Sequence, residues 1–263
     1  MKLQDAARQA LRCLDLTSLN DADTPADIVA LCQRAQTPFG PVAAVCVWPR
    51  FAAQARAALP PAIKVAAVAN FPAGALDTAG ALADIHVIRE AGADEVDVVL
   101  PYRALQAGQA AECAAFLHAV REACGPLTLK VIIESGELKT PQLIGLATRL
   151  CVAAGADFVK TSTGKSPVSA TPEAAAVMLA EIAVAESAPT GPQSGRGVGF
   201  KASGGIRTVV DAQAYLALVE ARLGTAGLLP GRLRFGASGL LNDIEAQLRG
   251  DPAAGHATAA AAY

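Results

Sequence analysis

The sequence predicts an α/β chain that closes on itself as a single-domain TIM-type (β/α)8 barrel. Eight short β-rich runs alternate with longer segments of helical periodicity, each pair about the length of one βα unit. The runs do not divide into two mononucleotide-binding halves, and no G-x-G-x-x-G follows any of them, so an open doubly wound sheet fits less well than a closed one. A length of 263 residues is ordinary for one such barrel. The expected boundaries are a barrel domain over residues 1–250 and a flexible tail over residues 251–263, where DPAAGHATAAAAY loses all periodicity.

The elements follow in order. CLDLTSL is the first candidate strand, with the helical segment DADTPADIVALCQRA after it; VAAVCVW and IKVAAVAN are the second and third. TAGALADIHVIREAG then leads to EVDVVLP, and QAAECAAFLHAVREA to LTLKVIIES. TPQLIGLATRLCVAAG precedes ADFVKTS, TPEAAAVMLAEIAVA precedes GVGFKAS, and VVDAQAYLALVEARLG precedes LRFGAS, the eighth. Thr140-Pro141 and Thr171-Pro172 each read as a helix cap followed by proline in the first turn, and Gly92, Gly155 and Gly224 read as helix stops.

Composition removes several classes of function. Lys and Arg number 22 against 24 Asp and Glu, which leaves no broad basic surface for nucleic acid or an anionic membrane. The opening MKLQDAARQALRCL lacks the apolar core of a secretory signal, so a cytoplasmic location is expected. Six scattered cysteines without a C-x-x-C pair are expected to be small buried hydrophobes, and three histidines without ligand spacing argue against a metal site.

In a parallel barrel the chemistry sits at the C-terminal ends of the strands. The polar residues there are Asp15, Thr17, Cys46, Asn70, Asp97, Lys130 with Glu134, Lys160, Lys201 and Ser238. Charges inside apolar strands cost several kcal/mol each unless they pair, hydrate or change protonation. A structural ion-pair network is one account of them; two lysines converging on one mouth fit that account poorly, because like charges do not stabilise each other.

A crowded lysine makes a nucleophile. Lowering an amine pKa by ~3 units takes ~4 kcal/mol, and a second ammonium ~6 Å away at an effective dielectric of ~20 supplies nearly 3 of these. Partial burial supplies the rest. Such an amine captures a carbonyl as a Schiff base, which acidifies the adjacent carbon and opens carbon–carbon bond chemistry. Asp97 suits the accompanying proton shuttle, with Lys201 as its charged partner.

The segment TGKS is not a P-loop, since Val159 occupies the position of the first glycine. Lys165 reads instead as an anion ligand on the loop after strand six. KASGG and FGASG follow strands seven and eight, where glycine frees backbone N–H groups for a phosphate.

Taken in order along the chain, DLTSLND, CVWPRF, ANFPAG, GADEVDVVLPYRAL, LKVIIESGELK, AGADFVKTSTGK, VGFKASGGIRT and RFGASGLL resemble the deoxyribose-phosphate aldolases, specifically their longer proteobacterial form. The resemblance implies a metal-free class I lyase that reversibly cleaves 2-deoxy-D-ribose 5-phosphate into D-glyceraldehyde 3-phosphate and acetaldehyde. It implies a Schiff base on Lys160, a proton relay through Asp97 with Lys201, and phosphate contacts from Lys165, Gly204, Gly205 and Ser238. Asp15, Thr17 and Cys46 would support the substrate hydroxyls, with Lys130 and Glu134 behind the site. Gly239 stands where many relatives carry a second serine, and Tyr263 resembles a tail tyrosine that reaches the pocket. A cytoplasmic homodimer without cofactor is the implied setting. The competing readings are a phosphosugar isomerase or epimerase, which would need a Glu or His base at the mouth, and a non-catalytic barrel with tightly paired lysines.

Overall fold

The structure is a computed structural model that describes residues 1–187 and 197–250. The expected tail, with Tyr263, lies outside the described residues. All eight expected strands are present as one closed parallel barrel: β1 Leu14–Thr17, β2 Ala44–Val47, β3 Lys64–Ala69, β4 Glu95–Val99, β5 Thr128–Ile132, β6 Phe158–Lys160, β7 Gly199–Ser203 and β8 Leu233–Ala237. Each strand pairs with its neighbours in sequence, and β1 closes the ring by pairing with both β2 and β8.

Around the barrel run α1 Leu3–Arg12, α2 Pro25–Arg34, α3 Ala52–Ala58, α4 Thr78–Glu90, α5 Tyr102–Gln106, α6 Ala110–Cys124, α7 Ser135–Leu138, α8 Pro141–Ala153, α9 Pro172–Ser187, α10 Val209–Leu223 and α11 Leu240–Arg249. The expected caps are made: Thr140 accepts from the Leu143 N–H at 3.3 Å and Thr171 from the Ala174 N–H at 3.1 Å. Gly155, just past α8, has φ of 79°, a left-handed conformation that stops the helix at little cost to glycine. A short antiparallel ribbon, Gln36–Thr37 with Gly40–Pro41, was not anticipated; it is too brief to leave a periodic signal.

The period-two alternation of each strand sorts residues onto two faces. Leu14, Leu16, Val45, Val65, Val96, Val98, Val131, Val159, Phe200 and Phe235 join one apolar core with the surrounding helices. The intervening positions point into the barrel. There Cys46, Ala66 and Val68 join Leu19 in a separate small apolar cluster, against which Trp48 and Phe71 pack edge to face at 5.5 Å. The rest of the interior carries charge where a barrel of this kind usually stacks branched apolar side chains. All six cysteines are buried and free, as their spacing implied. Among the described residues no helix is long and apolar enough to cross a membrane.

Candidate active site

Strand register builds the site. Asp97 on β4 lies beside Lys130 on β5, Lys160 on β6 beside Lys201 on β7, and Lys201 beside Arg234 on β8. Because these residues share the inward face, their side chains meet on the barrel axis. Lys160 Nζ donates to Asp97 Oδ2 at 2.8 Å, and Lys201 Nζ donates to the same oxygen at 2.7 Å. Lys130 Nζ donates to Asp97 Oδ1 at 2.8 Å and lies 2.5 Å from Glu95 Oε2. Lys201 also reaches Asp15 Oδ2 at 2.5 Å, while Arg234 donates to Asp15 Oδ1 at 2.6 Å and to Glu95 Oε1 at 2.9 Å.

These seven side chains form one continuous network, and none is more than 8% exposed. Four can be cations (Lys130, Lys160, Lys201, Arg234) and three anions (Asp15, Glu95, Asp97). Fully protonated at its bases, the network carries one surplus positive charge in a region closed to water. A surplus buried charge is costly, and the least expensive remedy is to release one proton.

Lys160 is the group whose partners oppose that release least. Its one carboxylate, Asp97, is shared with two other lysines, whereas Lys201 has Asp15 and Asp97 and Lys130 has Asp97 and Glu95. Burial, assisted by the Lys201 charge and opposed by Asp97, holds the Lys160 pKa below its ordinary 10.5. Burial also pulls on Lys201 and Lys130, but their carboxylate pairs outweigh it and hold both above that value. Asp97 is buried too, yet Lys130, Lys160 and Lys201 together keep it ionised, well below the usual carboxylate range.

Sequence reasoning anticipated the direction of the Lys160 shift but reversed its causes. The second ammonium was expected to lead and burial to assist; burial leads, because Asp97 lies between the two amines and screens their repulsion. The amines remain close. Bonded to one oxygen, they are no more than about 5.5 Å apart, the two bond lengths laid end to end.

Gly236 makes this arrangement possible. A Cβ there would lie 3.1 Å from Lys201 Cε and 2.6 Å from Ser203 Oγ, so the empty position is the channel through which Lys201 crosses to Asp15. Glu95 and Arg234 were absent from the sequence-derived set. Their signal was the alternation in EVDVV and LRFGA, which places Glu95 on the face of Asp97 and turns Arg234 inward between Leu233 and Phe235.

The other expected residues fall at two levels. Asp15 is sealed beneath the mouth with both oxygens engaged by Lys201 and Arg234, and Thr17 Oγ1 donates to the Asp15 carbonyl at 2.8 Å. Cys46 Sγ sits 4.0 Å from Asp97, and burial followed by the Asp97 charge pushes its thiol up to about 11. Asn70 holds its own loop, its amide donating to the carbonyls of Ala75 and Val99.

At the rim, Glu134 organises the loop after β6. It accepts from Thr163 Oγ1 at 2.5 Å and from Ser166 Oγ at 3.1 Å, flanking Lys165 on both sides. Lys165 Nζ in turn donates to the Leu19 carbonyl at 2.8 Å. Gly204 and Gly205 have φ of 81° and 79°, and a Cβ on Gly204 would strike Ser169 Oγ at 2.5 Å. Ser238 and Gly239 are exposed at the start of α11, whose first turn has no side-chain cap. The start of α10 differs, since Thr208 and Asp211 already cap it in a reciprocal box. Of the two helix starts that follow the KASGG and FGASG stretches, α10 is capped by side chains and α11 is not, which leaves the α11 amides for an anion.

A buried amine with a lowered pKa, hydrogen-bonded to an ionised carboxylate beneath an anion-ready rim, is the arrangement that barrel enzymes of the carbonyl-capturing class require. Comparison with known proteins narrows the class. Residues 10–237 match the DeoC/LacD family of aldolases, and the chain belongs to that family. A deoxyribose-phosphate aldolase of Agrobacterium fabrum (strain C58 / ATCC 33970) is 48% identical over 250 residues, covering 93% of each chain. A crystal structure from Coccidioides immitis superposes with a TM-score of 0.76 at 29% identity, covering 91% of this chain and 87% of that one. A tetrameric deoxyribose phosphate aldolase from Aeropyrum pernix shares the fold with a TM-score of 0.70 at 23% identity, covering 94% and 92%.

Proposed function

We propose that this chain is a class I aldolase that reversibly cleaves 2-deoxy-D-ribose 5-phosphate into D-glyceraldehyde 3-phosphate and acetaldehyde, with Lys160 as the amine. Aldolases of this family are cofactor-independent class I enzymes. The observation that carries the assignment of Lys160 is its place in the buried network: four cations face three carboxylates, and Lys160 is the amine whose single carboxylate is shared with two other lysines.

Neutral Lys160 attacks C1 of the open-chain sugar, and the carbinolamine hydroxyl takes up one proton from solvent and leaves as water, giving a protonated imine. The cationic imine draws electrons from the C2–C3 bond as the C3 hydroxyl surrenders its proton. That bond breaks, C3 becomes the aldehyde of glyceraldehyde 3-phosphate, and C1–C2 remains as a neutral enamine on Lys160. The proton taken from the C3 hydroxyl passes from Asp97 to C2 and restores the protonated imine, and addition of water releases acetaldehyde, the free amine and the proton taken up at dehydration.

Asp97 with Lys201 relays the proton. In free enzyme Asp97 is a weak base, because three lysines surround it. On bond cleavage the imine cation beside it disappears as the C3 proton arrives. One positive neighbour is lost while one negative charge is neutralised, so the total charge of the closed site does not change. The step therefore avoids building uncompensated charge in a low-dielectric interior.

The apolar wall of Leu19, Cys46, Ala66 and Val68 adjoins Asp97 and suits the two-carbon unit. Lys165, Gly204, Gly205, Ser238 and Gly239 would take the phosphate. The network interior holds no unpaired Glu or His of the kind that an isomerase or epimerase base requires. Borohydride added with acetaldehyde should leave a reduced two-carbon adduct on the Lys160 peptide, read by mass spectrometry. An adduct on another lysine, or none, would overturn the assignment.

A further inference from the structure

The lower end of the barrel, opposite the lysine site, holds a cavity of about 690 Å3, within the size range of small-molecule sites. Its residues lie on α1, on the short ribbon before β2, and at the points where β2, β3 and β8 begin, so it belongs to the N-terminal face and not to the mouth. Four cationic side chains line it (Arg8, Arg12, Lys64 and Arg234) and no carboxylate does.

Two of the four are already engaged. Lys64 pairs with Asp94 at 3.4 Å, and Arg234 is held by Asp15 and Glu95. Arg8 and Arg12 differ: both are exposed, and neither makes a hydrogen bond or ion pair among the described residues. They stand four residues apart on α1 and so share a face, an arrangement of like charges that disfavours the helix unless an anion lies between them. Leu11 between them is buried in the core, and the half-buried ring of Phe39, at the turn of the ribbon, adds an apolar wall.

We propose that this basal cavity binds an organic phosphate of the nucleotide class, with Arg8 and Arg12 on the phosphates and Phe39 against the ring. Guanidinium groups match phosphate oxygens in pairs, and the two arginines supply donors that nothing else in the described fold uses. Arg234 forms the floor, where its Nε donates to the Pro230 carbonyl at 2.6 Å, so a bound anion would rest on the lowest member of the buried network.

The test uses the full-length chain and ADP as probe, in calorimetric titration at low salt. ADP is expected to bind with a Kd of about 1 mM or tighter, and the double variant Arg8→Ala/Arg12→Ala to weaken it at least about tenfold. Lys165→Ala should leave ADP binding unchanged, and adenosine should not bind. Absence of ADP binding, binding indifferent to the arginine pair, loss caused by Lys165→Ala, or equal binding of adenosine would each overturn the proposal.

Discussion

Replacing Lys201 with leucine tests the charge count directly. With Lys160 neutral, the native network sets Lys130, Lys201 and Arg234 against Asp15, Glu95 and Asp97. Without Lys201 two cations face three carboxylates, and a protonated Lys160 restores the balance. The two amines lie within about 5.5 Å of each other through Asp97. At an effective dielectric of about 20 two unscreened charges at that separation repel by about 3 kcal/mol, an upper bound here because Asp97 lies between them. Removing Lys201 moves the Lys160 pKa upward, so the neutral fraction at a given pH falls.

The assay is borohydride trapping with acetaldehyde across a pH series, quantified on the Lys160 peptide. Trapping by Lys201→Leu should be suppressed near neutrality and recover in alkali. Circular dichroism and a Lys201→Met variant separate this shift from misfolding. A folded variant that traps with the wild-type pH midpoint would refute the charge count, because the proton on Lys160 would then not depend on its neighbour.

The rim and the stability of the network yield the remaining expectations. A Cβ at Gly239 meets nothing within 4 Å, so Gly239→Ser fits and should add one hydrogen bond to phosphate, lowering KM for deoxyribose 5-phosphate about fivefold, or ~1 kcal/mol. Lys165→Ala should raise that KM while leaving activity on unphosphorylated deoxyribose nearly unchanged; equal losses on both would remove Lys165 from the phosphate site. Asp15 and Asp97 are held below their ordinary 3.8, so between that value and their native pKa the unfolded chain binds more protons than the native one. Their stabilisation is present above pH 3.8 and is lost as pH falls through the native values, each unit of depression being worth about 1.4 kcal/mol. Urea unfolding from pH 6 downward should show that loss, and Asp97→Asn should flatten it.

The sequence by itself determined the barrel and the residues at its mouth. Alternating β-rich and helical segments are a local property, legible because period-two and helical patterns need only a few consecutive residues to express themselves. Lys160, Lys201 and Asp97 stood out for a similar reason, as charges at the ends of apolar runs, and Lys165 as a cation in a glycine- and serine-flanked loop. The ribbon at residues 36–41 and the four-residue α7 were too short to carry a pattern of their own.

Only the tertiary structure decided which charges meet. Glu95 and Asp97 are two residues apart on one strand, but Arg234 joins Glu95 across 139 positions and Lys201 joins Asp15 across 186. Those encounters depend on strand register and barrel closure, and on Gly236 having no side chain to block Lys201. The protonation of Lys160 follows from the sum over all these partners. A buried charge is governed by everything within a few ångströms, and the chain brings those groups together only when the sheet closes.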